Sequence, residues 1–378
     1  MNEALALKLL RQIMGWSEET AVEEYRWVRL MASFKYDGYR DYLAGARFPE
    51  TLAGWLMQFK AEDRAAAYVF VKSKLLYFGP LEIVRLVDQF YPRFVERKLR
   101  AAAAAKFDIP SYLVMTQESF RNEFFRELRR TLFIGLSDGA RIDMLRRSNA
   151  GVLVNDQIVL ATHIDEDKWR DLGSKLKENK LFAGEKNPRF DRVWLIDDFT
   201  GSGTSFLRPD KKGGWTGKLY KFRQALEKAR ATMPAVFPLT EDFSLHIHHY
   251  ISSAQARDAI LGRIETVKKE LAGDWFANVE VEEGFLLPDS VRMTEETDPE
   301  MWKICDDYYD HGLYEQLKEH LDQSKQTHIR HGYGNSALPV VLEHNCPNNA
   351  ITLLWAETDG SQQSHQMRPL FMRRHRHS

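Results

Sequence analysis

Hydrophobic residues in the first 130 positions recur at helical spacing. The stretch 17–34 begins with Ser17 and a group of acidic residues, and its apolar positions fall on one face of a helix. The same spacing runs through 61–79 and 80–107, and Gly79 and Pro80 form the break between them. This pattern predicts a helical N-terminal domain over residues 1–110.

From Thr131 onward, short apolar runs alternate with amphipathic stretches. The runs predict strands at 131–136, 192–198, 243–251 and 277–285, and helices are predicted within 137–149, 216–233 and 253–273. Strands and helices that alternate at this spacing indicate an α/β fold, with a mostly parallel sheet and helices on both faces, over residues 111–358. Near its end, the apolar runs 338–342 and 350–356 predict two more strands around a polar loop.

Composition narrows the class of protein. The 378 residues are 44% hydrophobic and 28% charged with a net charge of −1, so charge gives no argument for nucleic-acid binding. Two cysteines are too few for a disulfide framework or a cysteine-rich zinc site, and no apolar run is long enough to span a bilayer. We therefore expect a cytoplasmic protein without a membrane partner, ending in a basic, disordered tail at 359–378.

Two adjacent acids, Asp197 and Asp198, end one predicted strand. Like charges placed side by side repel each other, so hydroxyls, backbone donors or a cation should compensate them. The loop that follows is rich in small residues whose N–H and hydroxyl groups can converge on one point: Thr200, Gly201, Ser202, Gly203, Thr204 and Ser205. The sequence thus predicts a phosphate site next to acids that bind vicinal hydroxyls, which together suit a ribose 5-phosphate.

Other interpretations of this stretch remain open. A Walker B strand also ends in acids, but the chain has no phosphate-binding loop of the form G-x-x-x-x-G-K-[ST]. Paired aspartates can accept a phosphoryl group, although that role does not account for the loop. The stretch could also be a plain strand followed by a glycine-rich turn.

A second loop follows the predicted strand 131–136. It contains Ser137, Asp138, Gly139 and Arg141, and a glycine turn beside an arginine suits a departing pyrophosphate. The alternative is a helix start, with Asp138 as the N-cap and Arg141 in solvent.

Three further groups of residues have candidate roles. The loop between the last two predicted strands places amides and an imidazole where they could recognise the edge of a base, or where they simply form a rigid turn: His344, Asn345, Asn348 and Asn349. His246 and His248 share one face of a predicted strand and could bind a metal, but no third ligand is evident, and packed histidines are the alternative. Lys218 could reach an anion or could be a solvated helix start.

The stretch VWLIDDFTGSGTS at 193–205 resembles the signature by which type I phosphoribosyltransferases bind phosphoribosyl pyrophosphate. The resemblance implies that Asp197 and Asp198 bind the ribose hydroxyls and that residues 200–205 bind the 5-phosphate. It also implies Mg²⁺, held near the two aspartates through ribose and pyrophosphate oxygens. The reaction would displace pyrophosphate from C1 of the ribose by a nitrogen nucleophile.

Residues 110–358 are also similar to a narrower family, the phosphoribosyltransferase-like PRTase-CE proteins of bacterial conflict systems. GLSDGARID, DDFTGSGTSFLR, GKLYKF and GYGNSALPVVLEHNCPNNAITLLW carry this resemblance. It implies an effector in anti-phage defence, and, for members found in retrons, a reverse transcriptase and its DNA or RNA product as partners. The acceptor and the oligomeric state are left open. A catalytically inactive nucleotide-sensing or partner-binding module, and an effector that cleaves nucleotide glycosidic bonds, are the alternatives.

Overall fold

The computed structural model describes residues 2–271, 273, 275–321, 326–360 and 365–373. The chain divides into two compact units. The central unit comprises residues 83–287, and the discontinuous unit combines residues 1–82 with 288–378.

The first 130 residues are mostly helical, and strands and helices alternate from there to residue 287. The helices are α1 Glu3–Met14, α2 Glu18–Phe34, α3 Phe48–Met57, α4 Arg64–Ser73, α5 Pro80–Phe90, α6 Glu96–Phe107, α7 Glu118–Arg129, α8 Ile142–Ser148, α9 Glu166–Glu178, α10 Lys218–Thr232, α11 Ala254–Glu270, α12 Pro299–Asp307 and α13 Gly312–Leu321. The strands are β1 Leu76–Phe78, β2 Thr131–Gly135, β3 Ile158–Leu160, β4 Phe190–Thr200, β5 Arg208–Pro209, β6 Trp215–Thr216, β7 Leu239–Ser253, β8 Asn278–Leu287 and β9 Val340–Leu342.

A five-stranded sheet forms the middle of the central unit, in the order β3-β2-β4-β7-β8. Every neighbouring pair is parallel. The predicted α/β fold with a mostly parallel sheet is therefore confirmed. Because β4 lies in the middle, its carboxyl end opens between the ends of β2 and β7, where parallel sheets bind their ligands.

Apolar side chains cover both faces of this sheet, as the near-continuous hydrophobic strands require. One face carries Val193 and Leu195, which belong to a buried cluster that also includes residues of α9, α10 and α11. The opposite face carries Trp194 and Ile196, which are buried in a cluster with residues of α6, α7 and α8. Alternate residues of β4 thus point to alternate faces, and Asp197 and Asp198 continue that alternation.

A π-helical segment, Tyr91–Val95, joins α5 to α6. It contains Pro92, which has no backbone N–H and so cannot donate the usual helical hydrogen bond.

The discontinuous unit is mostly helical and is completed by β1 pairing in parallel with β9. The predicted strand at 350–356 is wrong, because residues 352–354 form a 3₁₀ turn instead. Ile351, Leu353 and Leu354 are all buried, so every side of this short segment is apolar. A run that is buried all round carries no periodicity that separates a strand from a turn or helix.

The boundaries of the compact units differ from the predicted domain boundaries. The sequence places boundaries at residues 110 and 358, where composition changes, whereas packing places residues 83–110 in the central unit and 288–358 in the discontinuous one. Within the predicted disordered tail, Met367, Leu370 and Phe371 are fully buried in the core of the discontinuous unit. Residues 361–364 and 374–378 of that tail lie outside the described residues.

None of the helices in the described part of the chain is both long enough and apolar enough to cross a membrane.

Candidate functional site

The acidic pair lies at the carboxyl end of β4. Asp197 is only 3% exposed. Ser137 Oγ donates a hydrogen bond to its Oδ1 at 2.6 Å, and Lys218 Nζ forms an ion pair with its Oδ2. Burial raises the pKa of Asp197, and the Lys218 ammonium partly offsets this rise. Both carboxylate oxygens of Asp197 are therefore engaged by protein donors.

The loop after β2 touches both acids at once. Ser137 bonds to Asp197, and Gly139 lies directly against Asp198, because a Cβ added at Gly139 would be 2.2 Å from Asp198 Oδ2. Only a glycine allows this approach. The loop predicted as a pyrophosphate site, about sixty residues earlier in the chain, thus contacts the acidic pair at the carboxyl end of β4.

Asp138 is not the N-cap of α8, contrary to the alternative interpretation of this loop. Asp138 belongs to a 3₁₀ turn, 138–140, and the residue before α8 is Arg141, without a side-chain capping hydrogen bond. Arg141 has φ +51°, a left-handed conformation that is uncommon for a residue with a side chain. Such conformations concentrate at functional sites, which fits a binding role for this loop.

The small-residue loop after Asp198 forms a largely buried turn. Thr200, Ser202 and Thr204 are each at least nine-tenths buried, whereas Ser205 is exposed. In the described part of the chain, the backbone N–H groups of Ser202, Gly203 and Ser205 have no hydrogen-bond acceptor. The Thr200 hydroxyl is also buried without a partner. Unpaired donors gathered in one short loop are suited to bind an anion.

Contacts with α11 fix the shape of this turn. Gly203 has φ +67°, and a Cβ there would be 2.8 Å from Ile260 Cγ1. Ser253 caps α11 by accepting a hydrogen bond from the N–H of Ala256, and its Oγ donates to the Gly201 carbonyl at 2.7 Å. The turn is therefore held from behind by α11.

Lys218 lies at the candidate site, although the sequence alone also allows it to be a solvated helix start. It is the first residue of α10, its N–H donates to the Ser205 carbonyl at 3.1 Å, and its Nζ pairs with Asp197. The side chain is 34% exposed. No local pattern could reveal this pairing, because it depends on how α10 packs at the end of β4.

His249 is the neighbour of Asp197 across the sheet. The two residues are paired in the register of β4 and β7, and His249 is 1% exposed, with no hydrogen-bond partner at either ring nitrogen among the described residues. Burial and the nearby Lys218 ammonium lower the pKa of His249 to about 3. His249 is thus uncharged and lies beside Asp197 at the candidate site.

The polar loop predicted to recognise a base lies in the discontinuous unit. Asn349 is buried, and its amide donates to the Tyr333 carbonyl at 2.8 Å and to Ser336 Oγ at 3.2 Å. The Asn348 carbonyl accepts the Tyr333 N–H, and His344 and Asn345 are half-buried. The amide of Asn349 therefore serves the turn itself, as in the alternative interpretation.

Comparison with known proteins identifies one family. Residues 52–373 match the family model PRTase-CE. No curated protein and no solved structure matches the chain at a significant level.

Proposed function

This chain belongs to the PRTase-CE family, and from that membership we propose that it binds phosphoribosyl pyrophosphate with Mg²⁺ and transfers the phosphoribosyl group to a nitrogen acceptor. We further propose, on the family resemblance alone, that this activity serves an effector role in bacterial anti-phage defence.

The observation that carries the proposal is the contact between the loop after β2 and the acidic pair at the carboxyl end of β4. Ser137 and Gly139 contact Asp197 and Asp198, and the unpaired N–H groups of 202–205 follow directly in the chain. Carboxylates that accept from two vicinal hydroxyls, beside a turn that donates to an anion, match the chemistry of a ribose 5-phosphate.

The site residues would act mainly by positioning. Asp197 and Asp198 would fix the ribose through its hydroxyls, and the turn 200–205 would hold the 5-phosphate, so that C1 faces the acceptor. Arg141 and the loop 137–141 would stabilise the charge that develops on the departing pyrophosphate. The nitrogen–C1 bond forms as the C1–oxygen bond breaks, and the acceptor's proton leaves to solvent or to a group of the acceptor.

Mg²⁺ fits this arrangement only through the substrate. The oxygens of Asp197 accept from Ser137 and Lys218, which leaves this buried carboxylate poorly placed as a direct ligand. A hard cation that keeps several waters and binds phosphate oxygens would then be held by ribose and pyrophosphate oxygens beside the acids. When bound, it would neutralise charge on the pyrophosphate.

A second candidate is a module that binds the nucleotide or phosphoribosyl pyrophosphate without transfer. The pairing of Lys218 with Asp197 favours it, because a sugar hydroxyl that bonds to Asp197 would compete with the lysine and so loosen a contact made by the first residue of α10. Ligand binding would then release Lys218 and shift α10, which is a response suited to sensing.

Calorimetry with phosphoribosyl pyrophosphate and Mg²⁺ tests the binding site. We expect the D197N/D198N variant to lose about 100-fold or more in affinity, because each lost hydrogen bond to a charged group contributes about 1.5–3 kcal/mol. The control is D242N, which changes an exposed aspartate at the start of β7. Circular dichroism would check that each variant is folded. Equal affinity in all three proteins would contradict the proposal.

Incubation with phosphoribosyl pyrophosphate, Mg²⁺ and a nucleobase mixture separates the functions. Pyrophosphate release together with a new nucleotide, detected by mass spectrometry, is the expected result. Tight binding without turnover would favour the non-transferring module. Release of free base from added nucleotides would instead identify cleavage of the glycosidic bond.

A further inference from the structure

The edge of the central sheet carries a second cluster of chemically reactive side chains. His246 on β7 is paired in register with Glu280 on the edge strand β8, and Glu282 follows two residues later on the same face. Ligand atoms of the three side chains lie within 4.8 Å of one another. We propose that His246, Glu280 and Glu282 form a site for a divalent transition cation of the Zn²⁺ class.

Two buried atoms in this cluster have no hydrogen-bond partner. His246 is 3% exposed, and its Nδ1 is unpaired, 3.9 Å from Glu280 Oε2. Glu282 Oε2 is likewise buried and unpaired. Buried polar atoms left unpaired destabilise the fold, and a cation bound between these two atoms would satisfy both.

The histidine is held in a fixed position. Its ring stacks on that of Trp194 with the centroids 4.5 Å apart and the planes 18° apart. An imidazole with its ordinary pKa near 6.5 is mostly neutral at pH 7 and keeps a lone pair for a metal. A rigid neutral imidazole is a suitable first ligand.

The donor set selects the kind of cation. One nitrogen and two carboxylate oxygens suit Zn²⁺ and related ions, at ligand distances of about 2.0–2.2 Å, whereas Mg²⁺ prefers oxygen ligands alone. Such distances require the three side chains to approach each other slightly. Glu280 can make this movement, since its side chain is 56% exposed.

Lys98 places a positive charge next to the two glutamates, where the proposed cation would bind. It projects from α6, forms an ion pair with Glu280 Oε2, and its Nζ is 3.3 Å from Glu282 Oε1. A divalent cation bound to both carboxylates would replace this ammonium, and the lysine would turn toward solvent. Arg97 and Arg192 also act on the cluster and oppose cation binding, but Arg192 is paired with Glu127 at 3.2 Å.

Titration of the full chain with ZnCl₂ by calorimetry tests the site. We expect E280Q and E282Q each to weaken Zn²⁺ binding by at least about tenfold. K98M should tighten it by about threefold or more, because a competing positive charge is removed. The control E241Q changes an exposed acid on β7 and should leave the affinity unchanged.

Three further measurements test whether Zn²⁺ binds at this cluster and not elsewhere. H375N/H377N removes two histidines near the C-terminus and should not affect the site. D197N/D198N should bind Zn²⁺ normally, so a failed phosphoribosyl site does not affect this test. A tenfold excess of Mg²⁺ should not displace Zn²⁺. Undiminished binding in both E280Q and E282Q, or no binding by the unaltered chain, would overturn the proposal and leave Lys98 as the permanent cation of the cluster.

Discussion

At the scale of single residues, the decisive contact is the one between Lys218 and Asp197. A carboxylate with 3% exposure needs a compensating charge, and Lys218 supplies it together with the Ser137 hydroxyl. The same ammonium stands where a sugar hydroxyl would bind. Folding and the proposed ligand binding would therefore compete for one carboxylate oxygen.

The Lys218→Met substitution tests this pairing. It leaves Asp197 buried without its cation, so we expect the free energy of unfolding to fall by about 2 kcal/mol, discounted from the cost of breaking a fully buried pair because the lysine is partly exposed. In the K218M/D197N double variant most of this loss should be recovered, since no charge remains to be compensated. Denaturant unfolding of the four proteins gives the coupling, and strictly additive losses would contradict it.

At the scale of elements, the turn after β4 depends on the helix behind it. α11 approaches Gly203 so closely that no side chain fits, and Ser253 at the start of α11 bonds the Gly201 carbonyl. The turn therefore presents its free N–H groups only while α11 is docked.

A comparison of Gly203→Ala with Gly213→Ala separates the effect of the contact with α11 from the effect of the left-handed backbone conformation. Both glycines have a left-handed φ, +67° and +88°, but a Cβ at Gly213 would meet nothing within 4 Å. We expect G213A to cost about 1 kcal/mol of stability through strain alone, and G203A to cost about 1–3 kcal/mol more through the clash with Ile260. Phosphoribosyl pyrophosphate binding should fall only in G203A. Equal melting temperatures of the two variants would contradict the role of α11.

At the scale of the whole molecule, three histidines of β7 make stability dependent on pH. His246, His248 and His249 are buried in the sheet, and burial lowers the pKa of each below its usual value of about 6.5. Below pH 6.5 the unfolded chain therefore binds protons that the folded chain does not. Their contribution to stability is complete above pH 6.5 and is lost as the pH falls.

We expect the free energy of unfolding to decrease between pH 6.5 and 5. Each histidine contributes up to about 1.4 kcal/mol per pH unit, and the total should be smaller than three such contributions, because burial raises the pKa of Asp191 to about 6 and also raises the pKa of Asp197, and both acids act in the opposite direction. His248 is fully buried with both nitrogens unpaired, so H248M should flatten this dependence. H163N, at an exposed position, should not. Denaturant unfolding at pH 7.5 and 5.5 checks both, and a pH-independent unfolding free energy would contradict the argument.

Local signals in the sequence account for much of the sheet but not for the contacts between elements. The strands near 131–136, 192–198, 243–251 and 277–285 are predicted because each is an apolar run bounded by turn residues, and the structure has a strand at each place. The three-residue strand β3 is too short to carry a pattern. Glu280 and Glu282 escape notice as partners of His246 because they lie on a neighbouring strand, which a motif within one strand cannot include.

The discontinuous unit has a consequence for the order of events during synthesis. Its β1 strand, Leu76–Phe78, pairs with Val340–Leu342, and Tyr36 contacts the ring of Phe371. Residues 83–287 leave the ribosome before these C-terminal partners are synthesised, so the central unit can fold first. Until then, part of the apolar surface of the N-terminal helices is uncovered. This unit can therefore be completed only after residues 340–371 have been synthesised.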